Sequence, residues 1–273
     1  MCWTGSDSGP LIVLLHGLEG SSRSKYAAAL LERIERIGWG GVLMQFRGCS
    51  GEPNRLDRSY HSGDTGDLRF VIAMLKRRFP LRRILAVGYS LGGNVLLKHL
   101  GETAEDGTIF AAAAVSVPYE LAAGANRLNR GTSRLYQRHL IRSMQKKARN
   151  KFSLRQPPID LSGLDSWTDF WSFDDNVTAP LHGFRDAEEY YRESSCRQYL
   201  GAIRTPTLLL HAEDDPFLLR SAIPNREELS ASTILELTRR GGHVGFVGGR
   251  NPLKPQYWID DRLMAWFRTH VES

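Results

Sequence analysis

A serine between two glycines is the first feature of this chain that points to chemistry. The segment "VGYSLGGNV" places Ser90 at the centre of a G-x-S-x-G pattern, between Gly88 and Gly92. The apolar run "ILAV" before it and "LLKHL" after it predict a strand, a tight turn and a helix in that order. Such a turn lifts the serine hydroxyl above a sheet as a nucleophile, whereas glycines alone indicate only a chain reversal. The flanking strand and helix favour the nucleophile.

A serine hydroxyl is a weak nucleophile at neutral pH, so it needs a base and a group that orients the base. In proteins built on this turn, the acid follows the serine in sequence and the histidine follows the acid, each after a later strand. "TPTLLLHAEDDPF" and "TILELTRRGGHVGF" both meet this order. We therefore predict His243 as the base. Asp215, directly before the proline, is the predicted acid, and Asp214 is the alternative.

An oxyanion hole is the remaining requirement of such a site. The segment "LIVLLHGLEGSS" ends a predicted strand in a turn that can aim the backbone N–H of Leu18 at the space above Ser90. The N–H of Leu91, at the start of the helix after the serine, is expected to point the same way. The first turn can also serve simply to begin a helix that is capped by Ser22 or Ser24. The two interpretations are compatible.

Strand-like and helix-like patterns alternate along most of the chain, which predicts an α/β fold with a mostly parallel sheet covered by helices on both faces. The predicted strands are 11–15, 41–46, 83–88, 110–117, 206–211 and 233–238. The predicted helices lie near 23–37, 65–78, 91–101 and 256–270. At 273 residues, the chain is long enough to bury a full sheet.

Residues 119–203 break this alternation. They contain a basic helical pattern, a segment rich in aromatic and turn residues, and a second helical pattern. An insertion of this length is better explained as a helical lid over the strand ends than as a loop. We predict a core domain of residues 1–118 and 204–273 with a lid of residues 119–203. Four aromatic side chains predict either an apolar acyl site or the core of the lid: Trp167, Phe170, Trp171 and Phe173.

The net charge of +6 is a local feature of residues 127–151, which hold nine Lys or Arg and no acidic residue. One basic stripe recurs every four residues on the predicted helix, opposite apolar side chains that can face inward. The stripe is a solvated helix face or a surface for transient contact with an anionic membrane or an anionic substrate; nucleic acid is disfavoured. Its members are Arg130, Arg134, Arg138, Arg142 and Lys146, and the inward set is Leu140, Ile141, Met144 and Ala148.

Three cysteines without C-x-x-C spacing favour a reducing compartment and neither a disulfide framework nor a thiolate metal site. We expect no metal and no organic cofactor. No apolar run has bilayer length, and "MCWTGSDSGP" lacks the basic start and apolar core of a signal peptide. We therefore expect a cytoplasmic protein.

Several segments together resemble the YheT-like branch of the α/β-hydrolases, which belongs to family 4 of that superfamily. They are "HGLEGSSRSKYAAAL", "FRGCSGEPNRLDRSYHSGDTGDL", "GYSLGGNVLLKHL", "HAEDDPF" and "GGHVGF". The resemblance implies an α/β-hydrolase fold from about Leu11 to the C-terminus, with Ser90 as nucleophile, Asp215 as acid and His243 as base. Members usually have a longer N-terminal part, so the first strands of the sheet are expected to be missing, with "CWTG" as the end of one.

The expected activity is that of a serine hydrolase acting on short- to medium-chain carboxylic esters, including lipid-derived ones, with a small-molecule acyl ester as the partner. An acyltransferase that passes the acyl group to an alcohol is the nearest alternative, because the acceptor depends on how well the lid excludes water. A ligand-binding protein without catalysis is the more distant alternative. The ordered serine, acid and histidine count against it.

Overall fold

A computed structural model describes residues 1–153, 155–248 and 256–272. Its main sheet has seven strands in the order β1-β3-β2-β4-β5-β6-β7. Strand β1 is antiparallel to β3, and every other neighbouring pair is parallel. The strands are β1 (Cys2–Gly5), β2 (Leu11–Leu15), β3 (Gly40–Met44), β4 (Ile84–Tyr89), β5 (Ile109–Val115), β6 (Thr207–Ala212) and β7 (Thr233–Thr238).

Helices connect these strands and cover the sheet. The α-helices are α1 (Lys25–Arg36), α2 (Gly66–Arg78), α3 (Leu91–Glu102), α4 (Leu121–Leu128), α5 (Ser133–Phe152), α6 (Phe170–Phe173), α7 (Ala179–His182), α8 (Ala187–Ser194) and α9 (Trp258–Val271). A π-helical turn, Asp174–Thr178, joins α6 to α7, and a 3-10 helix, Arg197–Ala202, precedes β6. A short antiparallel ribbon pairs β8 (Val247–Gly248) with β9 (Gln256–Tyr257). The predicted α/β class with a mostly parallel sheet is confirmed.

The apolar strand patterns follow from burial of the sheet on both faces. Alternate side chains of a strand point to opposite faces, so Leu11, Val13 and Leu15 of β2 join one core cluster with helices α2 and α3. The intervening Ile12 and Leu14 join a second cluster with helices α1 and α9. Because neither face meets water, these strands are continuous apolar runs rather than alternating ones.

The chain begins with a strand that the apolar pattern did not predict. Residues Cys2–Gly5 pair with β3 in the register Cys2↔Leu43 to Gly5↔Gly40 and form one edge of the sheet. The strand is four residues long and only half buried, which leaves too few apolar positions for a pattern. The segment "CWTG", expected as the end of a missing strand, forms the edge strand β1 of this sheet.

The helices between β5 and β6 share an apolar cluster of their own. It is built from α4, α5, α6, α8 and the turns between them, and Leu18 of the core packs against it. The end of the segment differs, because Cys196, Leu200 and Ile203 pack in the core cluster beside α3. The division into a core and a lid of residues 119–203 stays a prediction.

Candidate active site

Ser90 lies in a strained turn between β4 and α3. Its φ is 50° and its ψ is −118°, a conformation that residues other than glycine rarely adopt. Its N–H donates to the carbonyl of Val115 at 2.8 Å, which ties the turn to β5. A Cβ at Gly88 would come within 2.4 Å of the Gly92 carbonyl, and a Cβ at Gly92 within 2.6 Å of the Leu15 carbonyl. The backbone itself therefore requires both glycines of the motif.

The three predicted catalytic side chains form one hydrogen-bonded chain. His243 Nε2 lies 2.9 Å from Ser90 Oγ, and His243 Nδ1 lies 2.8 Å from Asp215 Oδ2. A carboxylate can only accept, so Nδ1 carries the proton and Nε2 is left to accept the serine hydroxyl. The Asp215 side chain is 1% exposed, and the N–H of Phe217 donates to its second oxygen at 2.9 Å. The geometry is that of a nucleophile, a base and an orienting acid.

Asp214, the alternative acid, faces away from the imidazole. Its Oδ1 accepts hydrogen bonds from the N–H groups of Gly241 and Gly242, at 2.9 and 2.8 Å. It therefore holds the turn that leads into His243.

Ser116 and Phe217 also support the base, and neither was predicted from the sequence. Ser116 lies at the end of β5 and has a φ of 51°. Its Oγ accepts a hydrogen bond of 3.1 Å from the N–H of Val244, the residue directly after His243. The Phe217 ring meets the imidazole edge-on, with 5.0 Å between ring centroids. In the sequence, Ser116 and Phe217 are indicated only by their positions after strands whose carboxyl ends lie at the site.

The turn after β2 brings Leu18 to the same site. A Cβ at Gly17 would lie 3.3 Å from Ser90 Cβ, so this turn lies against the serine. The N–H of Gly17 donates to Tyr26 and that of Glu19 to Tyr60. Among the described residues, the N–H of Leu18 between them meets no hydrogen-bond acceptor, and neither does that of Leu91. Two free donors next to the serine are what an oxyanion hole needs; that role stays a prediction.

His16 anchors this turn from beneath. It is fully buried, its Nδ1 lies 2.7 Å from the Gly17 carbonyl, and the N–H of Phe46 donates to its Nε2 at 3.2 Å. Burial lowers the pKa of His16 to about 4, so the imidazole is neutral at physiological pH. Its role is structural.

A cavity of about 680 Å³ opens above Ser90 and His243. Its polar lining comes from two loop segments and includes Glu19, Ser22, Arg23, Arg47 and Asn54. Phe170 and Phe173 line the cavity and are buried in the apolar cluster of the helices between β5 and β6; the acyl-site and lid-core interpretations of these residues stay predictions. Trp171 instead packs on Tyr191. The apolar wall includes Leu18, Leu121, Leu140, Met144, Phe170, Phe173, Val177 and Phe217.

Arg134, Arg138, Arg142 and Lys146 lie on the outer face of α5, whereas Arg130 lies in the turn before this helix and not on it as predicted. All five side chains of the basic stripe are exposed, and within the described ranges none has an acidic partner. Leu140, Ile141 and Ala148 are buried and Met144 is half-buried, as the helical pattern predicts.

Two findings concern metals and membranes. In the part of the chain that the structure describes, no group of three His, Cys, Asp or Glu side chains is placed to hold a metal ion. Likewise, none of the described helices has the length and apolarity needed to cross a membrane.

Comparison with known proteins places this geometry in a family. Residues 10–249 match the family model of the α/β hydrolase fold. The chain is 44% identical over 266 residues to YheT of Escherichia coli (strain K12), whose name is that of an esterase. It is 31% identical to a monoacylglycerol lipase of Saccharomyces cerevisiae and 31% identical to the phospholipase ABHD3 of Mus musculus. These alignments cover 97%, 90% and 94% of this chain, and 78%, 56% and 63% of the relatives.

Solved structures show the same fold at low identity. Est1E from Butyrivibrio proteoclasticus, with ferulic acid bound, has a TM-score of 0.60 at 15% identity, with 97% of this chain and 90% of that chain covered. The esterase Pf2001 of Pyrococcus furiosus has a TM-score of 0.61 at 18% identity, with 98% and 84% covered. Because relatives of this chain are named as an esterase and a lipase, the expectation of a carboxylic ester hydrolase is confirmed. The chain belongs to the α/β-hydrolase family, in its YheT-like branch.

Proposed function

We propose that the protein hydrolyses acyl esters through a covalent acyl-enzyme on Ser90. The observation that carries the proposal is the unbroken chain of hydrogen bonds from Ser90 through His243 to Asp215, at the floor of a cavity with an apolar wall. This arrangement supplies a nucleophile, a base and a group that orients the base, which are the parts that acyl transfer requires.

In the first half-reaction, His243 Nε2 takes the proton of Ser90 as Oγ attacks the ester carbonyl. Asp215 orients the Nδ1–H and stabilises the imidazolium that forms. The N–H groups of Leu18 and Leu91 hold the oxyanion of the tetrahedral intermediate. His243 then gives the proton to the leaving alcohol. In the second half-reaction, His243 activates a water molecule that attacks the acyl group on Ser90 and releases the acid.

The proposed substrates are short- to medium-chain acyl esters, including esters derived from lipids. Support comes from the mixed lining of the cavity, because its apolar side chains suit an acyl chain and its polar ones suit the alcohol part. The names of the lipase and phospholipase relatives agree with this class of substrate.

Hydrolysis of p-nitrophenyl esters from acetate to palmitate tests the proposal. We expect a chain-length optimum set by the cavity, and loss of activity and of fluorophosphonate labelling in Ser90→Ala. Ser8→Ala, which removes an exposed hydroxyl, is the matched control and keeps both. A folded Ser90→Ala protein with wild-type turnover would exclude the mechanism.

The same assay separates the two alternative functions. If added alcohol diverts most of the acyl group from water to a new ester, the protein is an acyltransferase. If the wild type binds esters without turnover or labelling, it is a ligand-binding protein.

We also propose that the basic stripe of α5 contacts anionic membrane surfaces. Support comes from its exposed, unpaired side chains and from the place of α5, whose inner face lines the cavity through Leu140 and Met144. Basic residues next to an anionic surface contribute about 1 kcal/mol each. A membrane at this face would bring lipid-derived esters close to the cavity.

Sedimentation with vesicles tests this contact. We expect binding to phosphatidylserine-containing vesicles and not to pure phosphatidylcholine, and a fall of about 100-fold when Arg134, Arg138 and Arg142 are changed to Glu. A control with the same change in net charge reverses three exposed cations outside α5, namely Lys25, Arg77 and Arg240. Equal binding of both charge-reversed proteins would refute a specific role of α5.

A further inference from the structure

A partly buried polar cluster joins the lid helix α5 to the turn that carries Leu18. The carboxylate of Glu19 lies at its centre, with its side chain 8% exposed. Lys147 Nζ lies 2.9 Å from Glu19 Oε1, and the Ser143 hydroxyl donates to Oε2 at 2.5 Å. Both donors come from α5, more than 120 residues away along the chain. This contact binds the outer layer of the molecule to the predicted oxyanion turn.

Tyr60 holds Glu19 from the opposite side. Its hydroxyl donates to Glu19 Oε1 at 2.9 Å and accepts the backbone N–H of Glu19 at 3.0 Å. Glu19 itself has a φ of 57°, in the left-handed region that favours glycine. A non-glycine residue keeps such a conformation only where its surroundings hold it there. The contacts of the Glu19 side chain and N–H are those that hold it, one residue after Leu18.

The charges in this cluster make the contact strong and directional. A hydrogen bond between a cation and a carboxylate is stronger than a neutral one, and a buried carboxylate without its partner is strongly unfavourable. Lys147 forms an ion pair with Glu19. Its Nζ also lies 3.2 Å from Cys49 Sγ. The position of α5 and the conformation of the turn are therefore coupled.

We propose that Glu19 and Lys147 form a latch through which the lid helix α5 positions the oxyanion turn. The inference rests on the proposed function, because it concerns the reaction of Ser90. Neither side chain acts on the reacting atoms, so both are positioning residues. With the latch closed, the N–H of Leu18 keeps its direction toward the oxyanion; with the latch broken, substrate still binds in the cavity, but the tetrahedral intermediate is less stabilised.

The test compares Glu19→Gln and Lys147→Met with Arg149→Met, which removes an exposed cation from the same helix, outside the basic stripe. The substrate is p-nitrophenyl butyrate. In the two latch variants we expect kcat to fall about 10- to 100-fold with little change in KM, because a small displacement near reacting atoms has effects of this size. Arg149→Met keeps the wild-type kcat.

A second measurement reports on the oxyanion hole directly. An alkyl boronic acid forms a tetrahedral adduct with an active-site serine and so mimics the intermediate. Its affinity should fall by the same factor as kcat in both latch variants. Lys147→Arg, which keeps the cation, should recover most of the loss. The double variant should lose no more than the worse single variant, because each substitution breaks the same contact.

The outcomes are distinct. Wild-type turnover that disappears in Ser90→Ala but is unchanged in both latch variants overturns the latch alone. A raised KM at constant kcat also overturns it, since that result indicates binding of substrate rather than positioning of the turn. Loss of kcat that follows only the folded fraction, measured by circular dichroism, overturns it as well. A wild type without Ser90-dependent turnover overturns the proposed function and the latch together.

Discussion

At the scale of single residues, two adjacent carboxylates have different tasks because they face different groups. Asp215 contacts the imidazole of His243 and is buried, whereas Asp214 binds the backbone N–H groups of Gly241 and Gly242. The first task needs a negative charge beside the Nδ1–H, and the second needs only an oxygen that accepts hydrogen bonds. The same substitution should therefore have unequal effects at the two positions.

We expect Asp215→Asn to lower kcat about 10³- to 10⁴-fold, because an amide can favour the wrong tautomer of the imidazole and does not stabilise its cation. Asp214→Asn, the matched control, keeps an oxygen toward the two glycine N–H groups and should lower kcat less than about tenfold. Steady-state kinetics on one ester measures both variants. Equal losses would contradict the assignment of Asp215 as the acid.

At the scale of elements, the segment between β5 and β6 contains a buried carboxyl group, that of Asp174. Asp174 accepts hydrogen bonds from Thr178 at 2.6 Å and from Tyr191 at 2.7 Å. Burial nevertheless raises its pKa from 3.8 to about 6, since the charged form is poorly solvated there. The folded state therefore binds this proton more tightly than the unfolded chain does. The resulting stabilisation is present below pH about 4 and is lost as the pH rises to about 6.

Asp174→Asn should remove this dependence, because an amide does not titrate. We take the free energy of unfolding of the variant minus that of the wild type. This difference should increase by up to about 3 kcal/mol from pH about 4 to pH about 7. Urea denaturation at the two pH values measures the difference. A difference that is constant with pH would contradict the raised pKa of Asp174.

At the scale of the whole molecule, one arginine fastens the edge of the sheet. The Arg82 guanidinium, between α2 and β4, donates to four backbone carbonyls in the segment that links β1 to β2. It also stacks over the ring of Phe79. The acceptors are the carbonyls of Ser6, Ser8, Gly9 and Pro10. Because β1 is short and half-buried, we infer that these bonds contribute much of its attachment.

Arg82→Met should therefore loosen β1 without unfolding the rest of the sheet. We expect faster hydrogen exchange of the amides in Cys2–Gly5 and a fall of about 1–3 kcal/mol in the free energy of unfolding. Arg77→Met, at an exposed position on α2, should change neither. Unchanged exchange in Arg82→Met would show that pairing with β3 alone holds the edge strand.

Much of the fold and of the site could be predicted from local patterns. The buried strands are apolar runs because both faces of the sheet are covered, and their predicted bounds differ from the structure by at most two residues. The motif around Ser90 predicted its turn because the contacts of Gly88 and Gly92 leave no room for a side chain. The order of serine, acid and histidine placed all three at the carboxyl ends of strands.

The sequence by itself therefore determined the class of fold, the candidate nucleophile and the short set of candidate partners. Only the tertiary structure brought Asp215 rather than Asp214 to the imidazole of His243, added β1 to the sheet and brought Glu19 to Lys147. The physical reason is distance along the chain. Strand and turn preferences act between near neighbours, whereas these three outcomes depend on how loops and edges far apart in sequence meet once the sheet has formed.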